Sequence, residues 1–154
     1  MATPYSEVFG AFLARIEEDD WMREENNSVV LADMEQILKM AIFDFRFPRV
    51  GLGISTDEFG VSYFTNTLGN AEIQVLATLM KLHWLRRQVN TYRLIKQQYS
   101  TRDFEFSSQA NHLDKLLKSL EFCERETRKT FDTYDRSRDG SPYNFRDLAG
   151  GSFE

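Results

Sequence analysis

The residues that could do chemistry are few and scattered. Histidine occurs twice, at His83 and His112, and cysteine once, at Cys123. A protein zinc site needs several nitrogen or sulfur ligands at short, regular spacings. Neither histidine belongs to a His-Glu-x-x-His pattern, and a lone cysteine builds neither a zinc cluster nor an internal disulfide. His83 stands beside Trp84 and His112 beside Leu113, the setting of packed or surface histidines. Cys123 follows Phe122 in a helical stripe, which suits a packed thiol in a chain made in a reducing cytosol. General acid–base catalysis needs two groups converging on one bond, and Glu17, Glu18, Asp19 and Asp20 are consecutive and splay apart. Gly51-Leu52-Gly53 lacks the third glycine and the following helix start of a phosphate-binding loop. Arg86-Arg87 is too short for a nucleic-acid patch. The expectation is a chain with no catalytic residue, no metal ligand and no cofactor.

Binding is the remaining chemistry, and composition bears on it. Hydrophobic residues make up 42% and charged residues 28% of 154 residues, which suits a soluble folded domain able to bury its own core. Aromatic residues reach 14%, with Phe 13 of them, a supply that serves either a Phe-heavy core or contacts with other subunits. The formal net charge of -5 disfavours gripping phosphates. An acidic wall would instead repel a duplex and let it slide past. The opening M-A-T-P-Y-S-E has no basic region and no apolar run, so no signal peptide is expected. No apolar stretch approaches the roughly 20 residues of a membrane helix.

The elements that must position any binding residues are mainly helical. Ala71–Leu120 is the organising stretch. Ile73, Leu76, Ala77, Met80 and Trp84 recur at helical spacing. Leu113, Leu116, Leu117, Leu120, Cys123 or Glu124, Thr127, Phe131 and Tyr134 form a second stripe, in a helix from Ser107 or Ser108 to about Arg136. The charges on the outer face of that helix suit solvent, or salt bridges between subunits. Asn70 is the expected cap of the first of these helices. A bend or break is expected near Arg86–Thr91, with helix resuming to Tyr99. Phe104 and Phe106 alternate with acids, as in a short strand. Upstream, Thr3-Pro4 reads as a helix start, with the stripe Tyr5, Val8, Phe9, Phe12, Leu13 and Ile16. The acidic run ends that helix, and Trp21-Met22 reads as an apolar plug. Ser28 is placed to cap a helix carrying Val30, Met34, Ile37, Leu38, Ala41, Ile42 and Phe45, which Pro48 stops.

Two segments look made to reach outward. Within 47–69, Val50, Leu52 and Ile54 alternate, as do Phe59, Val61 and Tyr63, around turn-forming Ser55–Glu58. This predicts a β-hairpin or arm over about residues 49–66. Its edge wants another strand, from Phe104–Ser107 or from a neighbour, unless the hairpin packs on its own domain. After Arg136 the pattern is lost. Residues 137–154 carry Tyr143, Phe145, Leu148 and Phe153 among polar residues, as an arm that orders on a partner or as a loose terminus. The candidate partner-binding residues are therefore Val50, Leu52, Ile54, Phe59, Tyr63, Tyr143, Phe145, Leu148 and Phe153. The expected fold is mainly α, a small antiparallel helical bundle with a short β-hairpin or arm. Residues 1–136 form one domain and 137–154 an extended C-terminal tail.

Four blocks carry a family likeness: P-Y-S-E-V-F, M-E-Q-I-L-K-M-A-I-F-D-F-R-F, A-E-I-Q-V-L-A-T-L-M-K-L-H-W-L, and L-I-K-Q-Q-Y-S-T-R-D-F-E-F-S-S-Q-A-N-H-L. Together they resemble the head-to-tail adaptor (neck, head-completion) proteins of tailed bacteriophages. The likeness spans Pro4 to Arg136, and D-F-E-F-S-S-Q-A-N-H-L is its most specific part. The resemblance implies a mostly α fold with a small β element. It also implies a virion neck protein, made in the host cytoplasm, in a ring of about twelve copies beneath the portal. Its partners would be the portal, a stopper or tail protein and further copies of itself, with DNA passing through the channel. The other class open to such a sequence is a small cytosolic helical protein-binding or regulatory module.

Overall fold

The computed structural model describes residues 2–16, 27–99 and 106–136. In chain order these form β1 (Thr3–Pro4), α1 (Tyr5–Leu13), α2 (Ser28–Asp44), β2 (Ile54–Thr56), β3 (Ser62–Phe64), α3 (Asn70–Tyr99) and α4 (Phe106–Arg136). The fold is mainly α with one small antiparallel sheet, of strand order β1-β3-β2. The acidic run, the Trp21-Met22 plug and the tail after Arg136 lie outside the described residues.

The centre of the fold is α3, against which α1, α2 and α4 all pack. Over Val75–Met80 it has no solvent side: Val75, Leu76, Ala77, Thr78, Leu79 and Met80 are all buried. A helix apolar around its circumference must be surrounded, and this one is. The partners bring the stripes read above. Tyr5, Val8, Phe9, Phe12, Leu13 and Ile16 are buried on one side, and Met34, Ile37, Leu38 and Ala41 on another. Phe64 of the sheet closes the same core.

Several local expectations are corrected. Thr3-Pro4 is a strand, pairing Thr3 with Phe64 and Pro4 with Tyr63. The Thr3 hydroxyl accepts the Leu68 N–H at 2.9 Å instead of capping α1. Asn27, not Ser28, caps α2, its side chain accepting the Val29 N–H at 2.9 Å. Ser55 and Thr56 belong to β2, paired with Tyr63 and Ser62, so the hairpin turn falls later than expected. Asp57 makes that turn, its Oδ1 accepting from Phe59 N–H at 2.9 Å and Val61 N–H at 2.8 Å. Gly60 supplies the positive φ of 79° that the turn needs. The hairpin legs meet closely at Gly53, where a Cβ would lie 2.9 Å from Thr65 Oγ1.

The expected break near Arg86–Thr91 is absent, and α3 runs unbroken from Asn70 to Tyr99. Weak local propensity is overridden by anchors on several sides. Val89 and Leu85 are buried, Arg87 donates to Asp33 at 2.8 Å, and Arg86 donates to Glu124 at 3.3 Å. The expected strand around Phe104–Phe106 is also corrected where it is described, because Phe106 already starts α4. The strand that flanks β3 opposite β2 is β1, not Phe104–Ser107.

Candidate functional site

Both histidines and the cysteine make contacts within the fold. His83 Nε2 lies 2.8 Å from Asp44 Oδ2, pinning α3 to the end of α2. The His112 ring lies tilted against Tyr92, with centroids 4.6 Å apart and planes at 51°. Cys123 is fully buried, and burial pushes its thiol up against a smaller opposing pull from Lys81. A buried thiol held protonated is a poor nucleophile. Among the described residues no cluster of His, Cys, Asp and Glu could hold a metal ion. No helix among them is long and apolar enough to cross a membrane.

One buried polar network stands out. Glu72, in the first turn of α3, is buried and accepts the Tyr134 hydroxyl at 2.9 Å. That hydroxyl also accepts the Arg49 N–H at 2.9 Å. The Arg49 guanidinium sits 4.2 Å over the Tyr134 ring and donates to the Tyr134 carbonyl. Phe45 packs edge-on against Tyr134 at 5.3 Å and Phe131 at 5.9 Å. Burial raises the Tyr134 phenol, the Arg49 N–H opposes this, and the bond to Glu72 adds to the rise. The network ties the start of α3, the connector after α2 and the last turn of α4 together. It fixes positions and offers no bond to break.

The described residues expose large apolar side chains in two places. Of the sequence-derived candidates, Phe59 sits at the hairpin turn and is 90% exposed. Ile54 at the start of β2 is about half exposed, as is Val61 by the hairpin turn. Val50 and Leu52 instead pack against the chain's own core, and Tyr63 is half-buried in β3. The structure thus gathers Ile54 and Phe59 on one hairpin and turns Val50 and Leu52 inward. Tyr143, Phe145, Leu148 and Phe153 lie outside the described residues. Because β2 is an edge of the sheet, its outer side carries no strand among the described residues.

A second apolar surface was not among those candidates. Phe43 is 90% exposed, Phe47 76%, and Met40 about half. Met40 and Phe43 are one helical turn apart on α2, and Phe47 follows beyond its end; none of the three belongs to the stripe read from the sequence. Phe47 has φ 52°, unusual for a bulky residue, and precedes Pro48. Such a conformation costs on the order of 1 kcal/mol and persists where neighbours enforce it. Phe43, Phe47 and Phe131 line a groove of about 900 Å³ whose floor is Leu79 and Leu82.

No protein-family model matches the chain, and no curated protein or solved structure matches it either.

Proposed function

We propose that this chain is a structural adaptor of a tailed-phage neck, one subunit of a ring beneath the portal that links it to the stopper or tail protein. The reading rests on the resemblance of the blocks between Pro4 and Arg136. The mainly α fold with one small sheet agrees with what that resemblance implies. The observation that carries it is the hairpin. Phe59 is displayed at the turn near Val61, and Ile54 is exposed on β2, an edge strand able to accept another strand. Burying exposed aromatic side chains is what stabilises a subunit contact. The net charge of -5 suits a wall past which DNA slides without being held. In this reading the protein resides in the virion neck and performs no reaction.

The test mixes the purified full-length chain with portal particles and follows co-migration by size-exclusion chromatography, with imaging of the complex. Portal must be present, since a subunit contact of this kind can need its partner to form. The expected result is a ring of added density on the portal, with binding by Ile54→Ser/Phe59→Ser weakened at least about tenfold. A chain that stays monomeric beside portal would sink the adaptor reading and leave the cytosolic binding module.

A further inference from the structure

A cleft of about 680 Å³ runs between α3 and α4, bounded also by Arg15 and Ile16 just after α1. We propose that it binds a small phosphorylated compound carrying a flat ring, of the nucleotide class. Arg15 takes the phosphate, Lys81 and Lys118 add charge, and the ring lies toward Tyr92 and His112. This goes beyond the adaptor reading and does not rest on it.

The charge of the cleft is opposite to that of the chain. Arg15, Lys81 and Lys118 stand in its wall and no carboxylate does, in a chain of net charge -5. Two of these cations have a carboxylate close by: Lys81 lies 4.0 Å from Glu126, and Lys118 2.8 Å from Asp114. Lys118 and Asp114 are both exposed, where an ion pair is worth little and yields to a ligand. Arg15 differs from both lysines. It is half-buried, and its guanidinium donates to the Ala11 carbonyl at 2.6 Å and to the Gln74 side chain, both neutral. No carboxylate among the described residues pairs with it. A cation drawn partly out of water without a counter-charge is costly, and an anion bound beside it relieves that cost. A guanidinium has five N–H groups, so two bonds leave others for phosphate oxygens.

The rest of the wall suits a ring. Tyr92 and His112 meet there, and Trp84 and Phe122 add aromatic surface. Buried Ile16 and Leu85 supply aliphatic surface. Gln88 and Ser119 offer hydrogen bonds to the edge of a base or to a ribose. From Lys81 to Tyr92 α3 rises roughly 16 Å, length enough for a charged head and a ring in sequence. The volume falls within the range of small-ligand sites, roughly 300–1,000 Å³.

Calorimetric titration of the full-length chain with adenosine 5′-monophosphate (AMP) tests this, with adenosine, inorganic phosphate and a single-stranded oligonucleotide as separate arms. AMP is expected to bind at least about tenfold more tightly than adenosine or phosphate, each of which fills one part of the cleft. The Trp84 indole N–H, buried without a hydrogen-bond partner among the described residues, should shift in NMR spectra on saturation with AMP. Arg15→Gln should weaken AMP binding at least about tenfold. Ser119→Glu, on the exposed rim, should do the same by setting a like charge against the phosphate. Lys129→Gln, on α4 outside the cleft, should leave binding unchanged. AMP that binds no better than its two halves, or equally well to Arg15→Gln and Ser119→Glu, would overturn the proposal. An equal loss in Lys129→Gln would also overturn it, marking a response to net charge alone. Oligonucleotide bound in preference to AMP would do so too, assigning the cleft to a nucleic-acid strand. If Arg15→Gln loosens α1, seen by circular dichroism, Ser119→Glu decides alone. Portal co-migration is a separate readout, so either idea can fail without the other.

Discussion

Tyr5 and Tyr134 are both buried, but they sit in opposite chemistry. Tyr5 lies at the sheet end of the core, 4.9 Å from Phe64 and 5.9 Å from Phe9. Its hydroxyl has no hydrogen-bond partner among the described residues. Tyr134 lies at the α3–α4 seam, where its hydroxyl donates to Glu72 and accepts from Arg49. The sheet end coheres by area removed from water, which tolerates any arrangement that fills the space. The seam coheres by directed bonds, which define one arrangement and leave buried groups stranded if a partner is lost. Exposed apolar side chains flank both ends: Ile54 and Phe59 on the hairpin beside the first, Phe43 and Phe47 beside the second.

The largest effect should come from emptying the dry end. Phe12→Ala removes a fully buried ring between α1 and α3 and should cost about 3–5 kcal/mol in denaturant unfolding. A loss below about 1 kcal/mol would mean that this end is not close-packed. At the seam, Tyr134→Phe keeps the ring but leaves the buried Glu72 carboxylate without its donor. It should cost about 1–3 kcal/mol and loosen the connector around Arg49, seen as faster amide exchange at residues 45–50.

The smallest change is the sharpest. Tyr5→Phe deletes an unpartnered hydroxyl, so stability at neutral pH should be unchanged or rise by up to about 1 kcal/mol. Equal losses in the two Tyr→Phe variants would erase the distinction between the regions. The same variant has a signature at alkaline pH. Burial, then the charge of Glu35, holds the Tyr5 phenol up at about 12, against about 10 in the unfolded chain. The neutral phenol is the form the fold favours. Its contribution is complete below pH 10 and is lost as pH rises through 12. Thermal melts between pH 9 and 12 should therefore fall less steeply for Tyr5→Phe than for the wild type.

The helices were legible because their apolar residues keep a period that burial enforces. Tyr5, Val8, Phe12 and Ile16 could only be one face, and so could Met34, Ile37, Leu38 and Ala41. The hairpin was legible in its existence and misplaced in its turn, because Ser55-Thr56 is as turn-prone by type as the Asp57–Gly60 segment that makes the bend. Of the candidate residues, Ile54 and Phe59 are exposed. Val50 and Leu52 are partly covered by the core, a matter of which way each leg of the hairpin faces.

Alone, the order of amino acids determined a mainly helical chain with an acidic surface and a surplus of aromatic residues, since composition and periodicity are local properties. Tertiary structure decided what no local pattern holds. It kept α3 whole across Arg86–Thr91, because buried Val89 and the bonds to Asp33 and Glu124 outweigh propensity. It paired Thr3-Pro4 with Phe64 and Tyr63 across some sixty residues of chain. It turned Phe43 and Phe47 to solvent while burying Phe45 between them. Which of several similar rings goes inward depends on which surfaces meet, and that is settled only when distant segments come together.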